Sequence, residues 1–264
     1  MSAASSKYVP TRSLVTGASS GIGASFAHAL AARGSDLVLV ARRTDRLRDL
    51  AAELEAAHGI HAEVITADLS KPAAGRALRA AIVGPVDTVI NNAEFGSHGR
   101  LAEADPELLE REIAVDVTAL VDITRAFLPD LLAARRGAIV NIASTASFQP
   151  VPLMAVYGAA KAFVLSFTEA VWQEARPSGV KVVAVAPGAT ATEFFEVAHN
   201  GDATVGSRQT AEQVVAVGLR ALDRRSTPPH VISGANNRAL AFSTRLAPKR
   251  AILPVVERMM TPRR

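Results

Sequence analysis

Seven short apolar runs punctuate this chain, and a helix-length stretch separates each from the next. The runs are residues 13–16, 36–40, 62–66, 88–90, 138–142, 181–186 and 230–232. They are rich in Val, Ile and Leu and lack a polar/apolar alternation, the pattern of strands covered on both faces. The stretches between them, 21–33, 44–58, 72–82, 106–134, 154–176 and 210–223, are Ala- and Leu-rich with helical spacing. Pro72 and Pro106 suit first helical turns, and Gly34 and Gly59 suit helix ends. Strict β/α alternation predicts an α/β fold: a parallel sheet of about seven strands with helices on both faces.

The bulk properties narrow the function. At 264 residues and 49% hydrophobic, the chain can bury one large core, and a single domain over 1–264 is expected. There is no cysteine, and the six histidines show no paired ligand spacing, so no metal site is predicted. No apolar run reaches the length of a membrane span, and the first residues lack the apolar stretch of a signal peptide. A cytoplasmic location is the default. The net charge of +4 is unevenly placed: residues 236–264 carry seven basic residues and one acid, Glu257. The body of the chain is therefore slightly acidic, and no nucleic-acid partner is expected.

One end of the predicted sheet looks built for a dinucleotide. Residues 16–23 read Thr-Gly-Ala-Ser-Ser-Gly-Ile-Gly, after the first strand and into the first helix. Gly17 permits a tight turn, and Gly21 and Gly23 permit close approach, with the N–H groups around Ser19, Ser20 and Ile22 aimed at a pyrophosphate. Arg42 and Arg43 follow the second strand, where an acid would bond a ribose 2′-hydroxyl. Arginine pairs with a 2′-phosphate instead, which predicts NADP(H) rather than NAD(H). Asp68-Leu69 and Asn91-Asn92-Ala93 follow the third and fourth strands, at carboxyl ends where ligands collect. Asp68 could accept from an adenine amino group or cap a helix from Lys71 onward.

The same sheet edge carries a proton-transfer set. Tyr157 and Lys161 lie four apart on one predicted helix, with Ser144 thirteen residues before the tyrosine. An ammonium beside a phenol favours phenolate and is expected to lower the tyrosine pKa toward the working range. Lys161 can also bond a nicotinamide ribose, and Ser144 can orient a substrate oxygen.

With these motifs in place, residues 13 to about 232 resemble the classical short-chain dehydrogenase/reductase family. The markers are residues 16–23, Asp68, Asn91-Asn92-Ala93, Ser144, Tyr157, Lys161, and Pro187-Gly188 with Thr192. The resemblance implies a Rossmann-like doubly wound sheet and hydride transfer between NADP(H) and a carbonyl or alcohol. It further implies that Tyr157 is the general acid/base, that the Pro187-to-Thr192 stretch touches the nicotinamide amide, and that residues 193–207 form a mobile lid. The Val-Ala-Arg-Arg turn and the tail are similar to a broad NADP-preferring bacterial subgroup.

Two positions depart from that pattern. Glu94 stands where the family has glycine after Asn-Asn-Ala, and Asp116 stands where it has a catalytic Asn that anchors a relay water, chiefly through its backbone carbonyl. A carboxylate near cofactor phosphates is unfavourable unless it points away. Two alternatives accompany the leading reading: a reductase of 3-oxoacyl thioesters, and a catalytically weak NADP-binding sensor that only Glu94 and Asp116 support. Phe95, Phe148, Val151, Met154, Phe194 and Phe195 are candidate pocket residues, which suggests an apolar carbonyl or alcohol substrate. Apolar residues in excess on two helices, Ala114, Val117, Leu120 and Val121, then Phe163, Val164, Phe167 and Trp172, predict a homodimer or homotetramer. The basic tail is expected to pack on the domain. Lesser alternatives are a cover over the substrate pocket and contact with an anionic membrane surface, with a helix beginning at Pro254.

Overall fold

The structure is a computed structural model that describes residues 7–194, 208–246 and 248–261. Phe195, Arg263, Arg264 and most of the expected lid lie outside the described residues.

Seven parallel strands form one sheet in the order β3-β2-β1-β4-β5-β6-β7. They are β1 (Arg12–Thr16), β2 (Asp36–Ala41), β3 (Ala62–Thr66), β4 (Thr88–Asn91), β5 (Ala138–Ile142), β6 (Lys181–Ala186) and β7 (His230–Ile232). The helices that connect them are α1 (Gly21–Ala31), α2 (Thr44–His58), α3 (Ala74–Ala81), α4 (Pro106–Ile113), α5 (Leu120–Ala134), α6 (Ala155–Ala175) and α7 (Ala211–Leu222). The chain reverses its direction of winding between β3 and β4, which return to opposite sides of β1. That switch opens a crevice at the carboxyl ends of the strands.

Successive residues of each strand enter different cores, which explains the unbroken apolar runs. Val15, Leu37, Leu39, Val140 and Val183 pack with Phe26, Leu30, Leu47, Val214 and Leu219 under α1, α2 and α7. Their neighbours Leu14, Val38, Ile139 and Val182 pack with Leu78, Ile123, Phe127 and Leu131 under α3 and α5. Each fully buried aliphatic or aromatic side chain stabilises the fold by about 1.5–3 kcal/mol.

Three local expectations are corrected. Pro72 does not enter a helix; α3 begins at Ala74 after Ala73 at φ 60°. The backbone N–H groups of Gly75 and Arg76 donate to Asp122 Oδ2 of α5, so a cap from another helix fixes that start. The stretch 106–134 is not one regular helix either: a π-helical segment, Ala114–Ala119, joins α4 to α5. Finally, the basic segment folds as two helices, α8 (Ala235–Leu246) and α9 (Lys249–Met260). Helix α9 starts before Pro254 and contains it. Val256 is buried with Val151, Met154 and Tyr157, while Lys249, Arg250 and Arg258 stay exposed. Among the described residues no helix is long and apolar enough to cross a membrane.

Candidate active site

The turn after β1 is shaped by what a side chain would strike. Gly17 has φ 66°, and a Cβ there would stand 2.7 Å from Asn92 Nδ2 and 2.9 Å from the Ala93 backbone. A Cβ on Gly23 would meet the Gly17 carbonyl oxygen at 2.3 Å. Asn92 ties this corner together: its Nδ2 donates to the Thr16 and Gly17 carbonyls at 3.0 and 3.3 Å. Ser20 precedes α1 in extended backbone and its side chain makes no capping bond, nor is there an acid in the first turn. The first N–H groups of α1 are therefore left for an anion.

These residues line a cavity of about 400 Å³. Of the predicted cofactor residues, Gly17, Ser19, Ser20, Gly21, Ile22, Arg42, Arg43, Asp68, Leu69, Ala93 and Thr192 are on its wall. Gly23 stands directly behind it. Asn91 does not belong: its side chain is buried and donates to Thr124 Oγ1 and Asn141 Oδ1, bracing the sheet against α5. Its neighbour Asn92, expected only as part of the Asn91-Asn92-Ala93 motif, lines the cavity in its place. Pro187 and Gly188 are also off this wall; the Pro187 carbonyl accepts from Thr145 N–H, and a Cβ on Gly188 would strike Asn237 of α8 at 2.4 Å.

At the outer end Arg43 donates to Ser19 Oγ at 3.1 Å, to Ser20 Oγ at 2.8 Å and to Glu193 at 2.7 Å. Arg46 donates to the other oxygen of Glu193. The hydrogen bonds from Arg46 and Arg43 hold the Glu193 carboxyl down at about 2. Two guanidiniums thus converge on one anionic group beside the α1 turn. Asp68 accepts from the N–H and hydroxyl of Ser70 in a local turn. It is not a helix cap, because α3 starts six residues later.

At the inner end the structure brings Ser144, Tyr157 and Lys161 together. Ser144 caps the 3₁₀ turn Thr145–Phe148, accepting from Ala146 N–H at 3.1 Å. Ser147 Oγ donates to the Lys161 carbonyl at 2.7 Å, which ties that turn to α6. Lys161 is 2% exposed, and its Nζ donates to the Ile142 carbonyl at 3.0 Å. Nζ also donates to the Glu94 carboxylate, lies 3.9 Å from Asp116 Oδ2 and 5.6 Å from the Tyr157 ring centre. None of Ser144, Tyr157 and Lys161 lines the cavity; Glu94 and Phe194 do. The Phe194 ring lies against Tyr157 with centres 5.1 Å apart.

The electrostatics reverse one expectation. Burial pushes the Tyr157 phenol well above the ordinary tyrosine value, and the Glu94 carboxylate pushes the same way, against a hydrogen bond with Ser144. Asp116 and Glu112 add to the rise. The expected lowering by the ammonium is not found: burial sets the direction, and the Glu94 carboxylate adds to it. Burial works to lower Lys161, but Glu94 and Asp116 outweigh it and the net direction is up. Asp116 is fully buried, and burial raises its carboxyl well above the ordinary range. Its Oδ1 accepts from Phe95 N–H at 3.1 Å, and its Oδ2 has no hydrogen-bond partner. Glu112, also missed, is buried; its Oε2 accepts from Ser97 N–H at 3.0 Å, and burial raises it too. Its place four residues before Asp116 was the available signal. The π segment turns Asp116 inward beside Lys161, as such segments often do at functional sites.

The apolar wall around the tyrosine is Val151, Met154 and Val256, with Phe194, Ile252 and Met260 packed against it. Phe95 lines the cavity. Phe148 does not join them: it packs with Leu120 and Val164, and its ring lies 5.8 Å from that of His230.

Comparison with known proteins gives this arrangement its context. The profile described as short chain dehydrogenase matches residues 12–202. An uncharacterized oxidoreductase of Staphylococcus epidermidis is 33% identical over 83% of this chain and 92% of its own length. The 7beta-hydroxysteroid dehydrogenase of Collinsella aerofaciens is 30% identical over 85% of this chain and 86% of its own. A short-chain dehydrogenase from Sphingobium yanoikuyae, solved in complex with NADPH, superposes with a TM-score of 0.81 at 37% identity, covering 89% of this chain and 93% of that one. The matched span holds the glycine turn, both arginines and the serine, tyrosine and lysine; the chain belongs to the short chain dehydrogenase family.

Proposed function

We propose that this protein is an NADP(H)-dependent oxidoreductase that interconverts a carbonyl and an alcohol. The observation that carries the reading is the joining, along one sheet edge, of an uncapped helix N-terminus beside two arginines with the buried Ser144, Tyr157 and Lys161. The residues present fit the cofactor. Gly17 and Gly23 leave space that any Cβ would fill, and Ser19, Ser20 and Arg43 supply donors suited to phosphate. When bound, the nicotinamide supplies or accepts the hydride.

The chain's own groups do the rest. Tyr157 gives a proton to the substrate oxygen during reduction and takes it back during oxidation. Ser144 holds that oxygen by its hydroxyl. Lys161 supports the phenolate as its proton leaves, once its charge is no longer held by Glu94. Val151, Met154 and Val256 exclude water and favour an apolar substrate. The test is turnover across a panel of apolar ketones and alcohols, each with NADP(H) and NAD(H); no turnover of any would reject the reading.

Arg43 carries the cofactor preference in this proposal, with Arg42 adding charge. Arg43→Ala is expected to weaken NADPH binding by about 1–3 kcal/mol, the range for a charge-assisted bond, while sparing NADH. Fluorescence titration with both cofactors measures this, and equal losses for the two would count against the assignment.

We further propose a homo-oligomer. Leu120 and Val164, expected at its interface, are instead buried in the protomer. Phe163 is 41% exposed and stacked on Phe167, with ring centres 5.8 Å apart, and Ile113 is also exposed. Light scattering at micromolar concentration should give at least twice the chain mass of 27.6 kDa; a monomer mass would reject the proposal.

A further inference from the structure

We propose that Glu94 is a tethered competitor for the cofactor, holding Lys161 and closing the inner end of the cleft until the cofactor displaces it. The proposal rests on the cofactor reading above.

The geometry sets the argument. The cavity wall runs from the α1 turn inward and ends at Ala93, Glu94, Phe95 and Phe194. Lys161 and Tyr157 lie beyond that end and do not line the cavity. Glu94 is the group between: its side chain is 18% exposed, it lines the cavity, and its carboxylate takes the Lys161 Nζ. Lys161 is 2% exposed and already donates to the Ile142 carbonyl, so it has little freedom to leave its seat. A ligand that needs this ammonium must meet it where Glu94 now stands. Phe194, against the Tyr157 ring, closes the other side. Gly96 keeps this corner tight, since a Cβ there would lie 3.0 Å from Phe194 and 3.1 Å from Tyr157.

The charges favour a closed state without cofactor. The groups that act on Lys161 are Glu94, Asp116 and Glu112, all carboxyls. Asp116 comes from the π segment and Glu112 from α4, while Tyr157 lies one turn back on α6. Arg111 also lines the cavity, and Arg42, Arg43, Asp68 and Glu193 stand toward its outer end. With carboxyls in excess at one buried ammonium, Glu94 is the one free to leave, because it alone of the three borders the cavity. Opening separates a charge-assisted bond, and that separation opposes cofactor entry. A ligand that fills only the outer end leaves the bond intact.

Calorimetric titration of the whole chain with two ligands tests this. NADPH spans both ends of the cleft; adenosine 2′,5′-bisphosphate matches the outer end alone. Glu94→Gln keeps the shape and removes the charge. It is expected to bind NADPH about tenfold tighter, the worth of one charge-assisted hydrogen bond, and to bind the bisphosphate as the unaltered chain does. Glu94→Ala should behave alike, and bisphosphate binding certifies that either variant is folded. NADPH affinity that stays the same or falls in both variants overturns the proposal. So does an equal gain for both ligands, which would mark Glu94 as a diffuse charge. If neither ligand binds the unaltered chain, the cofactor reading itself fails and the proposal falls with it.

Discussion

Tyr157→Phe will lower turnover by about 10²–10⁴-fold or more while leaving cofactor affinity nearly unchanged. The ring fills the same space against Phe194, Val151, Met154 and Val256, so packing is kept. Only the hydroxyl is lost, and with it the proton that the proposed mechanism delivers to the substrate oxygen. Neither Ser144 nor Lys161 replaces it from the present geometry. Ser144 is a poor acid, and Lys161 Nζ is 5.6 Å from the ring centre and engaged by Glu94 and Ile142. Steady-state rates beside a binding titration give the answer; a variant that keeps a tenth of the activity would move the chemistry to another group.

Asp116→Asn will flatten the dependence of stability on pH. The native Asp116 carboxyl lies well above the ordinary range because it is buried, and the lowering by Lys161, opposed in part by Glu94, does not bring it back. As pH rises past about 4, an unfolded chain releases this proton and the native state keeps it. The native state then binds more protons, so its stability is full below that pH and falls as pH climbs toward the native value. Glu112, also raised by burial, slopes the same way. Asn has no proton to lose, so the variant should gain about 1–3 kcal/mol relative to the unaltered chain at neutral pH, the range for a buried polar group with an unmet partner. Melting curves from mildly acid to mildly alkaline pH measure it. Parallel pH slopes in the two proteins would show that Asp116 is not the group responsible.

The fold was legible because the strands are buried on both faces. Leu37 to Val40 pack alternately into two cores, so no polar residue interrupts the run, and its limits can be read by eye. The glycine turn was legible for a related reason: Gly17 and Gly23 stand where any Cβ would collide within the same corner of the chain. Elements held by partners distant in sequence were not legible. The start of α3 is set by Asp122, and α9 is held by Val256 packing with Tyr157. Asn91 and Asn92 are neighbours of one residue type, and only the strand's pleat decides that the first braces the sheet and the second borders the cavity.

The sequence by itself determined the layered sheet, the turn that can hold a phosphate, and the set of Ser144, Tyr157 and Lys161. Each of these rests on residue type and spacing, which are local properties. Only the tertiary structure decided the charge state of that set. It gathers Glu94, Glu112 and Asp116 from separate segments around one buried ammonium, and burial raises the Tyr157 phenol and the Asp116 and Glu112 carboxyls. Electrostatic interaction depends on distance and dielectric, and neither is written along the chain.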